Sequence, residues 1–118
     1  MDEIKLQVIT KAIEDKKGEE VQVIETRGKS PFYDYVVIAT INNYRQGGSI
    51  ADEIEEKLAL IKEEVNHVEG DAQGSEWILV DCGDVVVHLF TPSERLRVNL
   101  EELLLGRKNA YRREADAE

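Results

Sequence analysis

Apolar positions recur every three or four residues near the start of the chain. Leu6, Ile9 and Ile13 form one stripe, with Val8 and Ala12 beside it, which predicts a helix capped by Asp2 and running to about Asp15. Lys16 and Lys17 suit the negative end of that helix, and Gly18 the position just past it. Glu20 to Thr26 then reads as a strand, with Val21 and Val23 on one face. Arg27 to Pro31 is a turn by its Gly and Pro content. From Asp34 to Thr40 the apolar run is continuous rather than alternating, which predicts a central strand covered on both faces. Asn42 to Gly48 is a polar loop. Ile50, Ile54, Leu58, Ile61 and Val65 restore the helical spacing and predict a second helix over about Ser49 to Val65. Glu69 to Gly74 is another loop.

Trp77 to Asp81 and Val85 to Phe90 read as two strands of a hairpin around Cys82, Gly83 and Asp84. A two-residue loop at Gly83-Asp84 fixes the register: Asp81 faces Val86, Leu79 faces His88 and Trp77 faces Phe90. Those six side chains share one face. Ile78, Val80, Val87 and Leu89 share the other, which is purely aliphatic and is expected to lie under the helices. The mixed face, with its aromatic residues, His88 and acids, is expected to be exposed. Thr91, Pro92 and Glu94 form a helix start, with Thr91 as cap and Glu94 closing a capping box. Asn99 is placed to cap a short last helix, Leu100 to Leu105, ended by Gly106. Residues 1–106 are therefore expected to form one domain, and the polar residues 107–118 a disordered tail.

Composition narrows the function classes. Of the 118 residues, 42% are hydrophobic and 34% charged, a globular balance. No apolar run approaches the ~20 residues of a membrane span. Asp2 and Glu3 stand where a secretory signal would need basic and apolar residues, so a cytoplasmic address is expected. The single cysteine, Cys82, cannot form an internal disulfide or a thiolate metal cluster. The formal net charge of −10 opposes phosphate backbones, and suits a basic partner or simply solubility.

Candidate chemistry is sparse. Asp81, Asp84 and His88 fall close together in the hairpin, but Asp81 and His88 are not paired in its register and Asp84 is a turn residue, so no metal set is complete. Gly47-Gly48 before a helix falls far short of a phosphate loop. Arg45 and Gln46 lie where α/β folds place ligands, yet an arginine pairing with a surface acid is the simpler reading. No catalytic residue, metal or cofactor is expected. The distinctive surface is the aromatic hairpin face, a protein-interaction signal.

Several segments resemble the ribosomal silencing factor family, also called Iojap-like. They are Asp15 to Gly18, Ser30 to Thr40, Arg45-Gln46, Ile50 to Asp52, Val68 to Gly70, and above all Trp77 to His88. The resemblance runs in order over about residues 3–105. It implies an α/β fold, a nucleotidyltransferase-like mixed β-sheet with helices mainly on one face and without the catalytic carboxylates. It implies a non-enzymatic adaptor that binds the large-subunit ribosomal protein uL14, blocks joining of the two ribosomal subunits and represses translation under nutrient limitation. It also implies a homodimer when free; the acidic charge argues against direct sequence-specific binding of nucleic acid. Carried onto this chain, the uL14-binding positions are Trp77, Asp81, Asp84, His88 and Phe90. The chain departs from the family pattern at Ile41 after Thr40, at Gly47-Gly48, and in a leucine-rich stretch where the family has a late tryptophan. An active nucleotidyltransferase would need a Gly-Ser loop before its metal-binding carboxylates; Asp34, Asp81 and Asp84 have none.

Overall fold

The computed structural model describes residues 2–70 and 73–105. The tail expected over residues 107–118, and the helix end at Gly106, lie outside these. The elements in order are α1 (Asp2–Asp15), β1 (Glu19–Glu25), β2 (Tyr35–Thr40), α2 (Tyr44–Leu60), β3 (His67–Glu69), β4 (Trp77–Asp81), β5 (Val85–Phe90) and α3 (Pro92–Val98). A further helix, α4, occupies residues 100–105. The strands form one five-stranded sheet in the order β1-β2-β5-β4-β3. The β2–β5 pair is parallel and the other pairs are antiparallel, so the sheet is mixed and the class is α/β.

The helical stripes land where their spacing puts them. Ile9, Ala12 and Ile13 of α1 join Ile50, Ala51, Ile54 and Leu58 of α2 over Val37, Ala39, Ile78, Val80, Val87 and Leu89 of the sheet. The aliphatic face of the hairpin is therefore the face under α1 and α2. The opposite face carries a smaller core of Ile24, Val36, Ile38, Val86 and Phe90, closed by Leu100 at the start of α4 and flanked by Leu104. Arg95 holds this cover in place. Its guanidinium pairs with Glu101 at 2.6 Å and donates to the Thr40 hydroxyl and the Glu20 carbonyl at 2.8 Å each. The continuous apolar run of β2 is buried from Val36 to Thr40, as a strand covered on both sides requires.

Several boundaries differ from the sequence reading, each for a physical reason. α2 begins at Tyr44, not Ser49, because Asn43 caps it: its side-chain oxygen accepts the Gln46 N–H at 3.0 Å. Gly47 lies inside the helix. A Cβ there would come within 2.2 Å of the Ile78 Cδ1 atom, so glycine lets α2 sit close on β4. The same helix stops at Leu60 rather than Val65. Lys62 turns left-handed at φ +63, and the Glu63 N–H returns to the Leu58 carbonyl at 2.9 Å, a Schellman ending. α1 ends the same way, with Lys17 rather than Gly18 in the left-handed conformation at φ +71. The Thr91 capping box does not form. The Thr91 hydroxyl donates to Glu76 at 2.9 Å, and Glu94 pairs with Arg97. Asn99 serves two helices: it ends α3 in the left-handed conformation at φ +50, and its carbonyl accepts the Leu103 N–H at 3.2 Å at the expected start of α4.

Candidate functional site

The hairpin forms in the expected register: Trp77 lies opposite Phe90, Leu79 opposite His88 and Asp81 opposite Val86. Two local features make it. The Cys82 N–H bonds to the Val85 carbonyl at 2.8 Å, closing the Gly83-Asp84 turn. The Asp81 carboxylate accepts the Gly83 N–H at 2.9 Å, which braces the turn from the strand side.

The five expected site residues separate into two groups. Trp77, His88 and Phe90 gather at one end of the hairpin. The Trp77 and Phe90 ring centroids are 5.0 Å apart, and His88 lies nearly parallel to Phe90 at 6.1 Å. The indole N–H of Trp77 donates to His88 Nδ1 at 3.0 Å. Asp81 and Asp84 belong to the turn end. Asp81 is four positions from Trp77, about 13 Å along an extended strand. Asp84 accepts from Lys5 of α1 at 2.9 Å, and Lys5 also reaches Glu63 at 3.2 Å. Burial opposes the charge on Lys5, but the hydrogen bonds to Asp84 and Glu63 outweigh it and raise its pKa.

Exposure within the aromatic group is uneven, which corrects the expected open face. Phe90 is fully buried and cannot touch a partner; it backs the indole. His88 is half-buried, and burial lowers its pKa to about 4, so the imidazole is neutral. Trp77 alone keeps 37% of its surface. It does so because β3 pairs only with Leu79, Val80 and Asp81 and stops short of Trp77. Gly70 makes that stop. It has φ +83, and a Cβ there would stand 2.2 Å from the Trp77 carbonyl oxygen. The result is a shallow recess lined by Glu69, Gly70, Trp77 and Leu79. β3 and its part in framing this recess were missed in the sequence. Its one signal was Val68 between polar neighbours, too short a pattern to mark a strand.

The other candidate chemistry does not assemble. Cys82 is part of the core, and burial pushes its thiol up to about 12, which removes it as a nucleophile. Among the described residues no three His, Cys, Asp or Glu side chains are grouped to hold a metal ion. Arg45 and Gln46 belong to the first turn of α2, where Gln46 accepts from the Asn42 N–H and donates to the Lys16 carbonyl. Among the described residues no helix is long and apolar enough to cross a membrane.

Fold and face together define a class: a small α/β domain whose described residues offer a supported aromatic surface. Comparison with known proteins narrows the class. The model of the family described as ribosomal silencing factor during starvation matches residues 2–118, through the stretch set apart above as a tail. The chain is 38% identical over 98 residues to the ribosomal silencing factor of Halalkalibacterium halodurans, covering 83% of each chain. It is 37% identical over 98 residues to that of Bacillus subtilis, covering 83% of this chain and 82% of the relative. A crystal structure of a Chromobacterium violaceum protein superposes with a TM-score of 0.81 at 31% identity, covering 88% of this chain and 86% of that one. The chain belongs to the ribosomal silencing factor family.

Proposed function

We propose that this protein binds the large ribosomal subunit through ribosomal protein uL14, blocks joining of the small subunit and so represses translation when nutrients are short. It acts in the cytoplasm as a stoichiometric binder, not as a catalyst. The observation that carries the reading is Trp77: a large aromatic, 37% exposed, held from below by Phe90 and from the side by His88. A rigid aromatic anchor of this kind is what dominates protein interfaces. Asp81 lies on the same sheet face nearer the turn and extends the surface towards basic side chains of the partner. Asp84 contributes there only in part, because Lys5 already neutralises it. His88 and Phe90 serve by shaping the anchor.

Trp77→Ala tests this. Binding to uL14 and to large subunits should fall at least thirtyfold, about 2 kcal/mol. The melting temperature should fall far less than for a core tryptophan, whose truncation costs roughly 3–5 kcal/mol. A well-folded variant that still binds tightly would refute the interface. The free protein is also expected to be a homodimer; if the dimer shares the aromatic face, dimerisation and ribosome binding compete. Sedimentation showing only monomer at high micromolar concentration would count against that.

A further inference from the structure

The Trp77 side chain has one hydrogen-bond donor and no acceptor. That donor is used inside the chain, on His88 Nδ1 at 3.0 Å. The acceptor is itself fixed, because the imidazole lies against Phe90 with only 10° between the ring planes and Phe90 has no exposed surface. An accepting Nδ1 requires the neutral ring with its hydrogen on Nε2. Burial, which lowers the imidazole's affinity for a second proton, favours the same state.

We infer that His88 is a positioning residue: by accepting the indole N–H it locks Trp77 across the sheet face and leaves only the carbon surface of the indole for a partner, which fits an apolar slot without a hydrogen-bond acceptor. The inference rests on the interface reading above and adds to it the chemistry of the partner's pocket. In the free protein water can replace His88 at the indole N–H, so losing the acceptor costs little. Once a partner covers Trp77 and excludes water, an unpaired N–H is buried at full cost. His88 therefore acts on binding more than on folding.

Two variants of nearly equal shape separate these roles. His88→Asn keeps an acceptor oxygen near the position of Nδ1; His88→Leu has none. Affinity is measured against purified large ribosomal subunits, alongside melting temperatures. His88→Asn should bind within about threefold of the wild type, and His88→Leu about ten- to a hundredfold more weakly. The two should melt within a few degrees of each other. In a Trp77→Phe background, which lacks the N–H, the two should bind equally. The Trp77 indole N–H resonance should shift in His88→Leu and stay in His88→Asn.

Equal binding of the two variants beside Trp77, or the same gap beside Phe, overturns the inference. So does an unmoved indole resonance in His88→Leu. A His88→Leu variant that melts far below His88→Asn makes the role structural and overturns it as well. If Trp77→Ala binds subunits at full strength, the interface reading fails and this inference falls with it. If Trp77→Ala fails to bind while His88→Leu matches His88→Asn, only the positioning role is lost.

Discussion

A neutral imidazole whose Nδ1 lone pair is taken by an indole N–H cannot gain a proton there without breaking that bond. This makes His88 a source of acid sensitivity. Burial lowers its pKa from 6.5 to about 4, so the unfolded chain takes up a proton at a higher pH than the folded chain does. The stability associated with the neutral ring is complete above about pH 6.5, declines as the pH falls towards 4 and changes no further below that. Its full size is at most roughly 3 kcal/mol. His88→Asn should remove this contribution. Urea unfolding at pH 7 and pH 4.5 should show a smaller loss for the variant than for the wild type, and equal losses would mean His88 titrates normally. The position of His88 on the mixed face was legible in the sequence, because strand alternation and a two-residue turn fix which side chains are neighbours. That Phe90 is buried was not. Alternation assigns a residue to a face without saying what covers that face, and the cover here comes from Leu100 and Leu104, beyond the end of the strand.

Elements were legible where one local rule dominated and misread where two competed. The hairpin had one rule, and its register came out as expected. α2 had two. Its stripe gave Ile50, Ile54 and Leu58 correctly as buried, but Gly47-Gly48 suggested a loop where glycine in fact serves a tight contact with Ile78. At its other end Ile61 and Val65 keep the helical spacing although the helix has stopped, because Lys62 adopts a conformation that glycine favours. That choice has a measurable cost. Lys62→Gly should stabilise the protein by about 0.5–1 kcal/mol, since the left-handed conformation strains a residue bearing a Cβ. Chemical denaturation reads this directly. An unchanged or lowered midpoint would show that the Lys62 side chain contributes more than its backbone loses.

At the scale of the whole molecule, the net charge of −10 is expected to act on the proposed encounter rather than on the docked contact. Association with isolated uL14, the proposed basic partner, should slow as salt is raised, while dissociation changes little. Asp81→Lys should reduce both the association rate and its dependence on salt. Asp84→Lys should do so less cleanly, because it places a second cation beside Lys5 and loosens the contact between α1 and the hairpin turn. Stopped-flow binding at two ionic strengths separates the two, and a salt-independent rate would remove the steering role. Charge alone could not have located this surface, because acidic side chains are spread over helices and loops alike. The aromatic end of the hairpin is the feature on which the proposed surface rests.

The parallel pairing at the centre of the sheet bears on how the chain comes to exist at all. Tyr35 lies opposite Val85, about fifty positions later. Synthesis delivers the chain from its N-terminus, so β2 leaves the exit tunnel well before its neighbour has been made. Val36 to Thr40, all buried in the finished protein, must wait with one edge unpaired. Closing so long a loop costs chain entropy before any contact offsets it, so the meeting of β2 and β5 is expected to be slow. A member of the ribosomal silencing factor family thus spends its most aggregation-exposed interval still attached to a ribosome.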